Sequence, residues 1–336
     1  APVVGNTEVL TEFSDILNFA TEYTYKGESA SYIVQTGTTP STPVSQSIQS
    51  RLDSTAIITD FGANGDGSLD GSGTDVTANI NNALYQLYCR QVNPQIRRSL
   101  YFPAGVYVIS DTLDIPPYCN LYGDGPESTI IYFYVQTWTS SVAYASGVLV
   151  KNGASYYRSS ATVPVGTAIS NTLYWTATTL PPYIFRTADS LQQTGASIGS
   201  NGATQPGFFE ISRMKFMTNM THDGCYIEAA QDCSFESVNI SGPDTNILTP
   251  LSSAADDTAC VRFNTTASYI CNNIEWNHCS FSGMVWGTNT DEQIESVTFS
   301  NCAFERLYQG AYLGNDTPPA VGPTGIRMVQ NIFDTI

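Results

Sequence analysis

The C-terminal half of the chain repeats one spacing, apolar-x-apolar-x-x-small-x-Phe. It fits Ile274, Trp276, Cys279 and Phe281, and again Val297, Phe299, Cys302 and Phe304. Upstream, Phe209, Ile211, Met214 and Phe216 obey it, and downstream Ile326, Met328, Asn331 and Phe333 do. A weaker copy holds Ala230, Cys233 and Phe235, with Glu228 at its first position. Three positions after the Phe, Val238, Met284, Leu307 and Ile336 form a further apolar column. Residues two apart in a strand share a face, and the x-x pair breaks that alternation, so it marks a corner. A repeat of roughly 20 to 30 residues built this way predicts short strands stacked in a parallel β-solenoid. The Phe column 216, 235, 281, 304 and 333 is then interior, with Cys233, Cys279 and Cys302 stacked beside it. Glu236, Glu305 and Asp334 follow the Phe positions by one and form an outward acidic column. The last copy reaches Ile336 without a capping element, so the coils are expected to continue beyond the given chain.

Upstream the signals differ. Residues 1–50 contain one base, Lys26, and end in the Ser/Thr/Pro stretch TGTTPSTPVSQS, which reads as an arm and linker. Within it TEFSDILNFATEY carries Phe13, Ile16, Leu17 and Ala20 at helical spacing behind Thr11, a helix too short to stand alone. Residues 51–131 open the solenoid: a short strand, a Gly-rich turn, then a capping helix with Val76, Ile80, Ala83, Leu84 and Leu87 on one face and Thr74 or Asp75 as N-cap. Strands follow in SLYFPAGVYVIS and LYGDGPESTIIYF. Residues 132–207 are rich in Tyr, Ser and Thr and read as a protruding insertion or an extension of the coils, and residues 208–336 carry the repeat.

Composition excludes other classes. The chain has 336 residues, 42% of them hydrophobic, which is material for a full core. With 13 basic against 30 acidic residues its net charge is −17, which opposes contact with nucleic acid and anionic lipid. Charged residues are only 13%, a balance suited to strands and turns. No apolar run approaches the roughly 18 residues of a membrane span, so membrane insertion is not expected. The eight cysteines include no CxxC pair and there are two His residues, so neither a metal nor a cofactor is expected. Reduced cysteines in the core are the economical reading.

SQSIQSRLDSTAIITDFGANGDG, DVTANINNAL, YFPAGVYVIS and LYGDGPESTII together resemble the opening of pectate-lyase-like right-handed parallel β-helices. That family includes bacteriophage tailspike and fibre proteins and polysaccharide-degrading enzymes, and IQSRLDS before ITDFGANGDG is similar to the phage version. The resemblance covers about residues 46–131. It implies an all-β, right-handed parallel β-helix with an N-terminal arm and a capping α-helix.

A catalytic set is not assignable. NTDEQ (Asn289 to Gln293) resembles the Asn-Thr-Asp of polygalacturonases, but the Asp pair, Gly-His-Gly and Arg-x-Lys of that family do not follow. Asp256 and Asp257 are adjacent and face opposite ways in an extended segment, which suits a solvated turn or a calcium ligand better than shared-proton chemistry. Glu236 and Glu305 could line a groove or form an ordinary solvated face. His278 belongs at a corner and Trp276 in the core. The glycan-binding candidates are Tyr156, Tyr157, Tyr174, Trp175 and Tyr183, whose flat amphipathic rings stack on pyranose faces and equally suit assembly contacts. Sequons at Asn219, Asn239, Asn264 and Asn315 fit the Ser/Thr/Asn-rich composition.

The functional expectation is a phage virion protein of tailspike or fibre type, located in the phage tail. Its arm binds other virion tail proteins, its β-helix meets host cell-surface polysaccharide, and it forms a homotrimer. The alternatives are a polysaccharide depolymerase, a lyase or glycoside hydrolase acting in the virion or extracellularly, and a purely structural tail or baseplate component.

Overall fold

The computed structural model describes residues 23–24, 45–46, 55–89, 98–187, 206–243, 258–265, 269–290, 294–313 and 325–334. The chain divides into two units, Ala1–Ala56 and Ile57–Ile336. In the first, Tyr23–Thr24 pairs antiparallel with Ser45–Gln46. The helix expected over TEFSDILNFATEY lies outside the described residues, apart from Tyr23 in that strand.

The second unit is a right-handed parallel β-helix with three faces per coil. In one coil Cys271–Asn277 forms the first face, Ser280–Ser282 the second and Trp286–Thr290 the third. Ile294–Ser300 then begins the next coil, paired in parallel on Cys271–Asn277. Hydrogen bonds run between coils, so each residue sits about 4.8 Å from its counterpart above and below.

The corners lie where the x-x pair places them. Arg213, Ser237, His278, Asn301 and Gln330 occupy equivalent steps between the first and second faces, all at φ between 53 and 57°. A second ladder opens the first face: Tyr118, Phe208, Asp232, Asn273 and Ser296, at φ 51 to 62°, ending in Gly325 at φ 73°. Asn, Asp and His tolerate this left-handed conformation better than most residues because their side chains bond locally. Asn273 Nδ2 donates to Asp232 Oδ1 at 2.6 Å, and Asn301 Nδ2 to Asn277 Oδ1 at 3.2 Å.

Inside, like stacks on like. One column runs Leu121, Ile211, Phe235, Trp276, Phe299 and Met328. Another runs Ile131, Phe216, Ile240, Phe281, Phe304 and Phe333. The Phe235 and Trp276 rings stack at 3.6 Å with 1° between planes, and Phe281 stacks on Phe304 at 4.9 Å. Trp276 is fully buried, while Phe333, in the last described coil, is 50% exposed.

This register corrects four expectations. Phe235 stacks with Trp276 rather than with Phe281, and Cys233 stands over Ile274 rather than over Cys279. The proper copy in that coil is Cys233, Phe235, Val238 and Ile240, because a large aliphatic residue fills the last position as well as Phe does. Val238 therefore belongs with Met214, Cys279 and Cys302, and Glu236 with Ser212, Asn277, Ser300 and Val329. Only Glu305 and Asp334 share an outward column. Ile336 lies outside the described residues. All eight cysteines are free thiols, seven of them buried.

The helix spans Thr77–Leu84 and continues as a π turn over Tyr85–Cys89. That wider turn rotates the buried face by one residue, so Tyr88 rather than Leu87 is buried, its hydroxyl donating to the carbonyl of Arg98 (2.6 Å) with that of Asn120 also within reach (3.1 Å). The residue at the cap position is Val76, and Asp75 before it accepts from Thr77 N at 3.0 Å. Asn79 and Asn81 tie the helix to the carbonyls of Phe61 and Thr112. No helix among the described residues is long and apolar enough to cross a membrane.

Residues 136–178 leave the coils and make a four-stranded sheet ordered Trp175–Thr178, Ser155–Ser159, Leu149–Asn152, Gln136–Thr137. It has its own core of Tyr144, Val148, Val150, Val163 and Trp175.

Two outcomes follow from this packing. Phe281→Ala removes a fully buried ring from the middle of a column and should cost about 3 to 5 kcal/mol, read as a lower melting temperature. His222 is buried against the Phe133 ring (4.5 Å), with Nε2 2.7 Å from Thr218 Oγ1, and burial pulls its pKa down to about 4. The native state thus binds fewer protons than the unfolded chain, and stability is lost as pH falls below the usual 6.5. By pH 4 the loss relative to His222→Gln should be about 3 kcal/mol. Parallel denaturant midpoints for the two proteins across this range would refute the assignment.

Candidate functional site

The outer side of the third face carries a row that the repeat pattern does not announce. By register, Asp114, Arg186, Tyr226, Arg262 and Asn289 stack coil upon coil. They stand outward because their neighbours alternate inward: Phe185, Cys225 and Val261 lie beneath, each fully buried.

Each charge in the row has a partner. Arg186 Nε lies 2.6 Å from Asp114 Oδ1, which raises the guanidinium pKa. Arg262 meets Asp223 through two nitrogens, Nε to Oδ2 at 2.5 Å and Nη2 to Oδ1 at 3.2 Å, and Ala259 N donates to Asp223 Oδ1 at 2.8 Å. Two parallel contacts fix the fork against the carboxylate. Between the pairs the Tyr183 and Tyr226 rings stack at 4.4 Å. Tyr226 donates its hydroxyl to Glu228 Oε1 at 3.2 Å, and Asn264 Nδ2 reaches both the same oxygen (2.9 Å) and the Tyr226 hydroxyl. Burial, then Glu228, pushes the Tyr226 pKa up, and burial, then Asp223, raises that of Tyr183, so both phenols stay neutral. The result is a stacked aromatic pair flanked by two guanidinium–carboxylate pairs. Such a surface offers a ligand ring faces for stacking and donors and acceptors for hydrogen bonds. Its carboxylates Asp114, Asp223 and Glu228 each meet a guanidinium or amide partner.

The residues singled out in the sequence fall elsewhere, with one exception. Tyr183 belongs to the coil strand Tyr183–Thr187 and forms part of this site. Tyr156 and Tyr157 are successive residues of one strand and point to opposite sides: Tyr157 packs on the small core, and the half-buried Tyr156 has Lys151 Nζ 5.9 Å from its ring centroid. Tyr174 packs on the same core, and Trp175 is buried inside it, edge-on to Tyr144 at 5.2 Å. Glu236 accepts from Asn277 Nδ2 at 2.7 Å and lies 3.2 Å from His278 Nδ1, at a corner rather than in a cleft. Glu305 is exposed on the second face beside Asp334. Asp256 and Asp257 lie outside the described residues. No group of three or more metal-ligating side chains is found among the described residues. The row was legible in principle. FRT, CYIE and VRFN share an inward-outward alternation with Arg, Tyr and Arg outward, but their inner residues are too unlike one another to match a Phe-based pattern.

A family model described as "Rhamnogalacturonase A/epimerase, pectate lyase-like" matches residues 56–317. The chain belongs to this family. No match is found among curated proteins. Among solved structures, tailspike protein 3 of bacteriophage CBA120 is similar at 11% identity and a TM-score of 0.45, over 97% of this chain and 38% of its own. The A-module of the Azotobacter vinelandii mannuronan C-5 epimerase AlgE6 is similar at 14% identity and a TM-score of 0.43, over 83% and 56%. Tailspike protein gp49 of Acinetobacter baumannii bacteriophage Fri1, a capsular polysaccharide depolymerase, is similar at 12% identity and a TM-score of 0.39, over 84% and 40%. This family member thus spans between 38% and 56% of the length of these three proteins.

Arg262 and Asp223 have side chains only 19% and 11% exposed. Arg262→Met leaves the carboxylate buried without its counter-charge and should cost about 3 to 5 kcal/mol. Adding Asp223→Asn should recover much of that loss. Equal melting temperatures for the single and double variants would show that the pair is not what holds this face together.

Proposed function

We propose that the protein is a bacteriophage tailspike or fibre that presents the third face of its β-helix to a host surface polysaccharide. The observation that carries this reading is the Tyr183–Tyr226 pair set between the Arg186–Asp114 and Arg262–Asp223 pairs, on strands whose inner residues are locked in the core. Flat rings flanked by planar donors and acceptors match the apolar faces and hydroxyl edges of a sugar chain. Membership of a pectate-lyase-like family supports a glycan as the ligand, and the IQSRLDSTAIITDFGANGDG junction supports the phage setting. In this reading residues 1–50 attach to other tail proteins and three chains assemble through the arm and the 132–207 insertion. In the same reading the helix over residues 77–84 caps the particle-proximal end of the coils.

A second reading, depolymerisation of the same polymer, draws on the family description, which names a rhamnogalacturonase and an epimerase.

Tyr183→Ala and Arg186→Ala should each weaken binding of the full chain to purified host polysaccharide about fivefold, since a surface stacking or ionic contact contributes about 1 kcal/mol. Unchanged binding in both would end the assignment of this face. Release of reducing ends from the polymer would move the conclusion to the enzyme, and a monodisperse monomer by sedimentation at micromolar concentration would remove the trimeric spike.

A further inference from the structure

The coil and its insertion enclose a second concave site, separate from the third face. Two adjoining lobes of about 330 and 240 Å³ share Asp75, Ala145 and Val148. They exist because the insertion leaves the second face after Phe133 and folds back over the outside of the first coils. Val108 and Tyr132 point outward by alternation, between the inward Tyr107, Ile109, Ile131 and Phe133, yet each is only 5% exposed. The cover is fastened where Leu149 N donates to Ser110 Oγ at 3.3 Å.

The larger lobe has an apolar floor of Val108, Val148 and Leu149. The Tyr134 ring stands in its wall against Gly71. A Cβ at Gly71 would fall 2.2 Å from that ring, and the residue sits at φ +83°, so glycine is needed there on both counts. Polar groups converge from the other side. Asp75 accepts from Thr77 N (3.0 Å), from Thr77 Oγ1 (2.6 Å) and, in a short contact, from Ser110 Oγ. A carboxylate has about four acceptor sites, so one remains for a ligand hydroxyl. The Gln136 carboxamide also lies in the lining.

Charge narrows the ligand. Among the described residues, Asp75 is the one charged residue lining the larger lobe. In the smaller lobe the Arg158 guanidinium is already neutralised by Asp111 at 2.9 Å. A carboxylate-bearing ligand would meet Asp75 with no free cation to offset it, inside a chain of net charge −17. Hydroxyl donors suit the free acceptor site, and an apolar ring face suits Tyr134 and the valines.

We infer that the cleft between the coil and the insertion binds a neutral hexopyranose unit of a glycan, seated on Tyr134 and donating a hydroxyl to Asp75, and that it excludes uronates. This site does not depend on the third face binding a polymer.

Saturation-transfer difference NMR on the full chain tests it, with methyl α-D-glucopyranoside, -galactopyranoside and -mannopyranoside against methyl α-D-glucuronopyranoside. At least one neutral glycoside should receive saturation, with the glucuronide bound at least tenfold more weakly. Ala145→Trp, at the exposed junction of the lobes, should weaken that binding at least tenfold without lowering the melting temperature, and Tyr134→Leu should do the same to the ring-proton transfer. Tyr183→Ala should leave it unchanged, which separates this site from the third face. The inference is overturned if no neutral glycoside binds, if the glucuronide binds equally well, or if Ala145→Trp binds like the wild type.

Discussion

In-register stacking of successive coils is the constraint on which everything else in this molecule depends. Because the hydrogen bonds run from coil to coil, a residue's nearest neighbours are its counterparts one turn before and one turn after. Each coil must therefore turn corners at the same steps. Ten non-glycine residues occupy the two left-handed ladders, a conformation that costs roughly 1–2 kcal/mol each for most side chains. The cost is offset by the columns it allows to form: the Phe235–Trp276 pair and the Phe281–Phe304–Phe333 run stack only if the corners at Ser237, His278, Asn301 and Gln330 stay aligned.

The same constraint decides what could be read from the sequence. Four copies of the spacing rule lie in the structure as their spacing implies, corners included, because alternation and the x-x break are properties of the backbone. The fifth was misplaced by five residues, since the rule demanded Phe at its last position where Ile240 serves. A column requires volume and apolarity, not a particular side chain. The third face escaped notice for a related reason: its inner columns mix Phe185 with Cys225, Val261 and Thr288, so no single residue type recurs. The displacement of Leu87 by Tyr88 was also out of reach, because a π turn leaves no mark in an i, i+3, i+4 pattern. In the insertion, Trp175 and Tyr157 looked like ligand platforms because nothing local in the sequence says that Tyr144, Val150 and Val163 will meet them.

Charge on this surface is organised over short range. A net charge of −17 would suggest broad acidic faces, yet on the third face each described carboxylate meets a donor within one coil: Asp114 with Arg186, Asp223 with Arg262, Glu228 with Asn264. The one-rung spacing of about 4.8 Å explains the pattern, since side chains stacked that closely must be complementary or neutral. Where two acids do stack, at Glu305 and Asp334, both are exposed and water screens them. An unpaired acid as buried as Asp223 would not survive on this face.

Inward positions are tied to both neighbours in the stack, so the freedom to acquire new chemistry lies in outward rows and in segments that leave the coil. The insertion illustrates the second route. It departs after Phe133, builds a core of its own around Trp175, and rejoins at Tyr183 without altering the register of the strands on either side. Such a segment can change in length or content while the columns beneath it stay fixed. Because it must lie against the outside of the coils, it covers outward residues that would otherwise face water, Val108 and Tyr132 among them, and makes Val108 part of the floor of a cleft with Tyr134 in its wall. A coil alone offers only rows and shallow grooves; a coil with a self-supporting insertion offers a cleft, and the polar groups already present at the coil's opening, Asp75 and Ser110, become its lining.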